Sequence, residues 1–331
     1  MSAERLSTLI QQFFTQRLRV QQGVSAHTVA SYRDTFRLLL AFATEQTGRT
    51  SSNLRLQDLD LALIEKFLGH LEQHRGNCVR TRNARLAGIH AFFQFVAVHE
   101  PAMGLQCQRI LSLPVKRCAK RPVEFITPEE AQALIGAPDP QTWIGSRDRA
   151  LLLVAFQTGL RNSELRALRR QDVVLGTGPH VRCLGKGRKM RCTPLRPDVV
   201  AVLKDWLRRH SGAPNDPVFP SVRGGPMSAD AVQKLVARHV ATARAVCPSL
   251  NEKTVTPHTL RHAAAMNLLM HGVDLSVIAL WLGHESTETT QLYLHADMRL
   301  KEQALAYTDP SGVVPARYKP ADSLLTFLES L

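Results

Sequence analysis

The sequence is short of acidic residues, of paired cysteines and of long apolar runs, and each shortage excludes something. Its 331 residues carry 28 Asp and Glu against 42 Lys and Arg, a formal net charge of +14. Such a field draws polyanions, so nucleic acid is the expected partner, with a solvated basic surface as the alternative. The six cysteines (Cys78, Cys107, Cys118, Cys183, Cys192 and Cys247) include no CxxC pair. Their spacing offers neither a zinc site nor a disulfide framework, and reduced thiols in an intracellular compartment are expected. The most apolar run, Ala150 to Phe156, is far too short to span a bilayer. The opening MSAERLSTLI lacks the layout of a secretory signal. No Walker loop, internal repeat or low-complexity tract occurs. Aromatic residues make up only 6%, yet hydrophobic content is 44%, ample for packed cores.

The length suggests two domains. Residues 1–105 read as short helices. Ser25 can cap one that carries Val29, Tyr32, Phe36, Leu39 and Leu40, and Asp60 can cap a second. A third is expected near Asn83 to Val98, with Leu86, Ile89, Phe92, Phe93 and Val96 facing inward. Arg75, Arg80, Arg82 and Arg85 flank its start, as phosphate contacts or as solvated helix ends. Residues 106–124 read as a linker. The stretch from Pro101 to Val123 has three prolines and the basic Arg109, Lys116, Arg117, Lys120 and Arg121, with no acid. Thr127-Pro128-Glu129-Glu130 then opens a second domain with a cap, a proline at the first helical position and a capping-box glutamate. An apolar helix from Arg147 to Thr158 stops at Gly159, and His180 to Leu195 reads as two strands around a Gly185–Lys189 tip. Helices follow near 197–210, 228–246, 257–271 and 274–282. The fold class is mostly α with a small β-sheet, α+β.

The polar residues of interest sit at the ends of these elements. Thr256-Pro257 can start a helix that places His258 and Arg261 three apart on its first turn, beside unpaired backbone N–H groups. Two such side chains at a helix start make a phosphate site. His258 and His262 are spaced to bind zinc, but no carboxylate completes such a site. In TGLRNSEL, Gly159 ends one helix and Asn162 can cap the next, leaving Arg161 in a sharp turn with Glu164 to orient it. Lys186 sits at the hairpin tip, His284 follows Leu282-Gly283, and Tyr293 lies on a short helix expected near Ser286 to His295. Each alone has a bland reading: surface arginine, turn lysine, packing tyrosine.

In this order TGLRNSEL, GKGRK, HTLRHAAAMNLL and LWLGHESTETTQLYLH resemble the tyrosine recombinase family, the phage-integrase type of site-specific recombinase, over most of the second domain. The resemblance implies that Tyr293 is the nucleophile, leaving a 3′-phosphotyrosyl link and a free 5′-hydroxyl. A phenol has a pKa of about 10 and needs cationic surroundings to attack near neutral pH. It implies that Arg161 and Arg261 grip the non-bridging oxygens, and that Lys186, with Lys189 as the alternative, protonates the leaving 5′-oxygen. His258 would assist proton transfer, His284 would donate to the phosphate, and Glu164 would support Arg161. Further implications are a helical core-binding, SAM-like domain that closes with a catalytic domain (125–310) as a C-shaped clamp around double-stranded DNA. Arg80, Arg82, Arg85, Lys116, Arg117, Lys120, Arg121, Arg188 and Lys189 are the candidate DNA contacts. No metal and no cofactor is implied. A homodimer would occupy each site and a homotetramer form at synapsis. The tail 311–331, with Leu324, Leu325, Phe327, Leu328 and Leu331 as an apolar stripe, would dock on a neighbouring subunit or on its own domain. Helices expected almost from Met1 leave no arm-binding domain, which favours a resolvase or mobile-element type, cytoplasmic and at the nucleoid. The competing readings are a type IB topoisomerase and an architectural DNA-binding protein without chemistry.

Overall fold

A computed structural model describes residues 4–118, 125–185, 190–283 and Thr290. The chain divides into two units, Met1–Lys120 and Arg121–Leu331.

The first unit is helical. α1 (Glu4–Gln12) runs into a π-helical stretch, Phe13–Gln21, and is followed by α2 (Ala26–Thr47), α3 (Leu61–Gln73), α4 (Val79–His99) and α5 (Gly104–Leu111). The expected caps form: Ser25 Oγ accepts the Thr28 N–H at 3.2 Å and Asp60 Oδ1 the Leu63 N–H at 2.8 Å. Phenylalanines build much of this core. Phe36 and Phe13 each meet Phe92 edge-on, at 5.0 and 5.5 Å between ring centres.

Two expectations need correction. The linker does not begin at residue 106, because α5 buries Cys107 and Ile110 in the same core, with Leu113 just beyond it. Gln106 Nε2 also donates to the Leu56 and Leu59 carbonyls, at 2.9 and 3.0 Å. The prolines advertised a break, but a helix of two turns fits between them. Nor is Arg82 a surface phosphate contact. α4 starts earlier than Asn83, so Arg82 falls on the inward face with Leu86 and Ile89 and is buried. Its Nη1 donates to Asn83 Oδ1 and to the Pro114 carbonyl, both at 3.1 Å, and so ties the chain beyond α5 back onto α4.

The second unit opens with α6 (Pro128–Gly136), α7 (Trp143–Thr158) and α8 (Asn162–Ala167). A three-stranded antiparallel sheet follows in the order β1-β2-β3, with β1 (Val173–Val174), β2 (His180–Leu184) and β3 (Met190–Pro194). β2 and β3 pair from His180↔Pro194 to Leu184↔Met190, as the hairpin reading requires; β1 was not foreseen. α9 (Pro197–Arg209), α10 (Ala229–Ala243), α11 (Pro257–Met270) and α12 (Leu275–Leu282) complete it. The capping box forms, with Glu130 Oε2 accepting the Thr127 N–H at 2.8 Å. α7 is buried along Ala150–Ala155, which is why its sequence is apolar all round rather than striped.

A charged cluster sits inside this core. Asp148 is fully buried; its Oδ1 accepts from Arg147 Nε and Nη2 at 2.9 and 2.7 Å. Its Oδ2 accepts from Arg238 Nη2 and His239 Nε2 at 2.6 and 2.8 Å. Burial pushes the carboxyl pKa up, but the hydrogen bonds from His239 and Arg147 outweigh it and hold it below the usual aspartate value. A depressed folded-state pKa stabilises above the unfolded value of about 3.9 and is lost as pH falls through the folded one. Asp148→Ala strands the buried Arg147 charge and should cost about 3–5 kcal/mol in denaturant titration at neutral pH. The deficit should shrink as the titration is repeated at lower pH, below about 4. A variant as stable as wild type at pH 7 would refute this account.

Candidate active site

α7 ends at Gly159, in the left-handed region at φ 62°. A Cβ there would lie 2.5 Å from Leu282 Cδ2 and 3.2 Å from the Ala264 Cβ, so both backbone and space demand glycine. The chain then turns through Leu160 into α8. Asn162, expected as the cap, is instead the first helical residue, and Arg161 occupies the cap position with extended backbone (φ −63°, ψ 150°). Arg161 has no side-chain oxygen to cap α8, but the reciprocal half of a capping box forms: Glu164 Oε2 accepts the Arg161 N–H at 2.8 Å.

Glu164 is buried and does more than cap. Its Oε1 accepts Arg161 Nη1 at 3.0 Å, as expected of a glutamate that orients that arginine. It also accepts a parallel pair from Arg191, Nη1 to Oε1 at 2.9 Å and Nη2 to Oε2 at 2.7 Å. Burial pushes the Glu164 pKa up; the hydrogen bonds from Arg191 and then Arg161 bring it below the usual glutamate value. The sequence reading missed Arg191. The signal was strand alternation: Arg191 pairs with the buried Cys183, so it shares the inner face of the sheet with Val181 and Thr193.

α11 starts as its sequence suggested. Thr256 Oγ1 accepts the Thr259 N–H at 3.2 Å, and Thr259 Oγ1 the Thr256 N–H at 3.1 Å. Arg261, one turn in, is 3% exposed. Its Nη1 donates to the Gly159 carbonyl at 2.6 Å and its Nη2 to the Leu282 carbonyl at 2.8 Å. Arg161 Nη2 donates to the next carbonyl, Gly283, at 2.9 Å. The two arginines, 100 residues apart in sequence, therefore meet at the end of α12. Gly283 is again left-handed, at φ 66°, and a Cβ on it would lie 2.8 Å from Arg191 Nη1.

His258 lies on the exposed side of the first turn of α11, its ring 4.2 Å from that of His262, edge to face. Desolvation, then the Arg261 and Arg161 charges, lower its pKa. Near neutral pH this is a neutral imidazole held beside two guanidiniums. Such a set can take a phosphodiester: fixed forks meet the non-bridging oxygens, and the imidazole can accept or pass a proton. Lys186, His284 and Tyr293, together with Lys120, Arg121, Arg188 and Lys189, lie outside the described residues. Of the other candidate DNA contacts, Arg80 and Arg117 are exposed, while Arg85 is half-buried with Nη1 3.5 Å from Thr35 Oγ1. Lys116 pairs with Glu72 at 2.6 Å. Among the described residues no group of three or more His, Cys, Asp or Glu is placed to hold a metal, and no helix is long and apolar enough to cross a membrane.

Residues 124–299 match the family model described as the phage integrase family, and residues 10–100 match its N-terminal SAM-like domain. The chain belongs to the phage integrase family. Over 326 residues it is 49% identical to an integrase/recombinase, y4rC, of Sinorhizobium fredii, covering 98% of each chain. It is 33% identical to the tyrosine recombinase XerC of Xylella fastidiosa, covering 94% of this chain and all of that one. Its fold resembles that of the XerH site-specific recombinase solved with a palindromic difH substrate, with a TM-score of 0.64 and 23% identity over 83% of this chain and 80% of that one. As a phage integrase family member it is a site-specific DNA recombinase, an enzyme that cuts and rejoins DNA.

The lowered pKa of His258 gives a test that needs no substrate. In histidine-labelled protein followed by NMR, its ring should titrate with a midpoint below 6.5, and Arg261→Lys, which keeps the charge, should leave it low. A midpoint at or above 6.5 would contradict the electrostatics described.

Proposed function

We propose that this recombinase cleaves one strand of a duplex site by attack of the Tyr293 phenol on the scissile phosphodiester. The Tyr293 oxygen–phosphorus bond forms as the bond to the 5′-oxygen breaks, leaving a 3′-phosphotyrosyl link. The phenol proton leaves with help from His258, whose neutral ring suits it as acceptor, and Lys186 gives a proton to the departing 5′-oxygen. Arg161 and Arg261 hold the non-bridging oxygens where charge grows, with His284 as a further donor and Glu164 behind Arg161. Reversal by the free 5′-hydroxyl of another strand reseals the backbone, so one phosphodiester is exchanged for another without nucleotide hydrolysis. No metal or cofactor enters this scheme.

The observation that carries the reading is the meeting of Arg161 and Arg261 on the adjacent carbonyls of Gly283 and Leu282. Two fixed guanidiniums at one point serve a phosphate better than they serve packing. The first unit would act as the core-binding domain, with Arg80, Arg85, Lys116 and Arg117 along the DNA backbone and Lys120, Arg121, Arg188 and Lys189 continuing that contact. Solved relatives support the partner: XerH is bound to its difH substrate, and a lambda integrase dimer is bound to a core site. A dimer on each site, a tetramer at synapsis, a tail that docks on the neighbouring subunit, and a resolvase or mobile-element role in the cytoplasm at the nucleoid complete the proposal.

The site is first recovered by selecting bound sequences from random duplexes. That duplex, nicked near the cleavage point, lets the short strand diffuse away and traps the covalent intermediate. Wild type in EDTA should give a protein–DNA band on a denaturing gel that Tyr293→Phe does not. Arg161→Ala and Arg261→Ala should each slow its formation by about 10²–10³. A band that survives in Tyr293→Phe would overturn the choice of nucleophile. Affinity for the site should fall steeply between low and moderate salt, as counterions are released from many phosphates.

A further inference from the structure

Arg191 makes two parallel hydrogen bonds to a carboxylate that also serves Arg161, and the functional scheme gives it no part. We infer that Arg191 is a positioning residue for strand cleavage, which keeps the Arg161 guanidinium available to the phosphate by taking up the charge and hydrogen-bonding capacity of Glu164. The inference rests on the reading of Arg161 as a phosphate-binding residue.

Glu164 is 4% exposed and Arg191 11%, whereas Arg161 remains 29% exposed. The carboxylate carries one negative charge and meets two guanidiniums, so one positive unit is left over at the trio. The geometry decides where it resides. Arg191 takes both oxygens at 2.9 and 2.7 Å, the fork-to-fork match that neutralises a carboxylate most completely. Arg161 has one side-chain bond to Glu164, at 3.0 Å, and one to the neutral Gly283 carbonyl. The surplus charge therefore lies on the more exposed arginine. Without Arg191, the buried carboxylate would have Arg161 as its guanidinium partner. The pair would then be electrically neutral, and Arg161 would be drawn from a phosphate-facing pose toward the carboxylate.

Arg191 is also placed to transmit position. It projects from β3, whose hairpin with β2 leads toward Lys186 in the sequence. Its guanidinium reaches α8 through Glu164 and abuts Gly283 at the end of α12, where any Cβ would collide with it. One side chain thus links the sheet to both segments that hold the Arg161 guanidinium.

The test uses the full chain and the nicked duplex of its selected site, under single turnover with enzyme in excess. Arg191→Ala should slow formation of the covalent intermediate by about 10- to 100-fold, the scale of a misplaced binding group. Affinity for the intact site and the final extent of cleavage should stay near wild type. Arg191→Lys, which restores the charge without the fork, should recover part of the rate, and it keeps the test open if the alanine variant does not fold. The discriminating readout is a double-mutant cycle: in an Arg161→Lys background, changing Arg191 to Lys should cost markedly less than in wild type. A merely structural Arg191 would give equal losses in both backgrounds, or a reduced extent with an unchanged rate, and either overturns the inference. Wild-type protein that forms no covalent intermediate on its own site would overturn the cleavage reading itself, and the role of Arg191 with it.

Discussion

The paired arginines of the candidate active site depend on the buried carboxylate of Glu164. Glu164 accepts the Arg161 N–H at the start of α8, accepts from the Arg161 side chain and pairs with Arg191 from β3. A carboxylate this enclosed is tolerated only when paired and fully hydrogen-bonded. Its requirements therefore dictate the positions around it: an arginine on the inner face of β3, another at the cap of α8, and a left-handed glycine where the α12 end approaches both. Asp148 meets the same demand elsewhere with Arg147, Arg238 and His239, so there too two guanidiniums share one carboxylate. The difference is in the neighbours. Arg161, beside Glu164, also reaches the end of α12, where Arg261 is held.

The arginines are held by main chain as much as by side chain. Arg261 spans from the end of α7 to the end of α12, and Arg161 takes the next carbonyl along. Helix ends carry unused carbonyls, and here those acceptors fix two cationic forks before any ligand arrives. Preorganised donors of this kind lower the reorganisation that a charged transition state demands.

Much of this was legible in the sequence because it is local. Ser25, Asp60, Thr127 and Thr256 announce helix starts through spacing of one turn, and Gly159 and Gly283 announce stops. The hairpin between β2 and β3 followed from alternation around a glycine-rich tip. What failed was long-range or masked by local signals. Prolines on either side hid α5. A helix start placed too late turned the inward Arg82 into a surface charge. Asn162 carries the standard capping side chain, but the cap position falls one residue earlier, on Arg161, whose N–H Glu164 reaches back to. Arg191 sat in a run of basic residues, where one more arginine looks like hairpin charge, and only its pairing opposite Cys183 reveals that it points inward.

The carbonyls at Gly159, Leu282 and Gly283 belong to no particular side chain. Part of the cationic centre is thus encoded as backbone shape, which many sequences can write, and part as the matched set of Glu164, Arg161 and Arg191, which must change together. A lineage can therefore replace most of the residues around this centre, one at a time, and still inherit it, provided two glycines, a glutamate and the arginines persist.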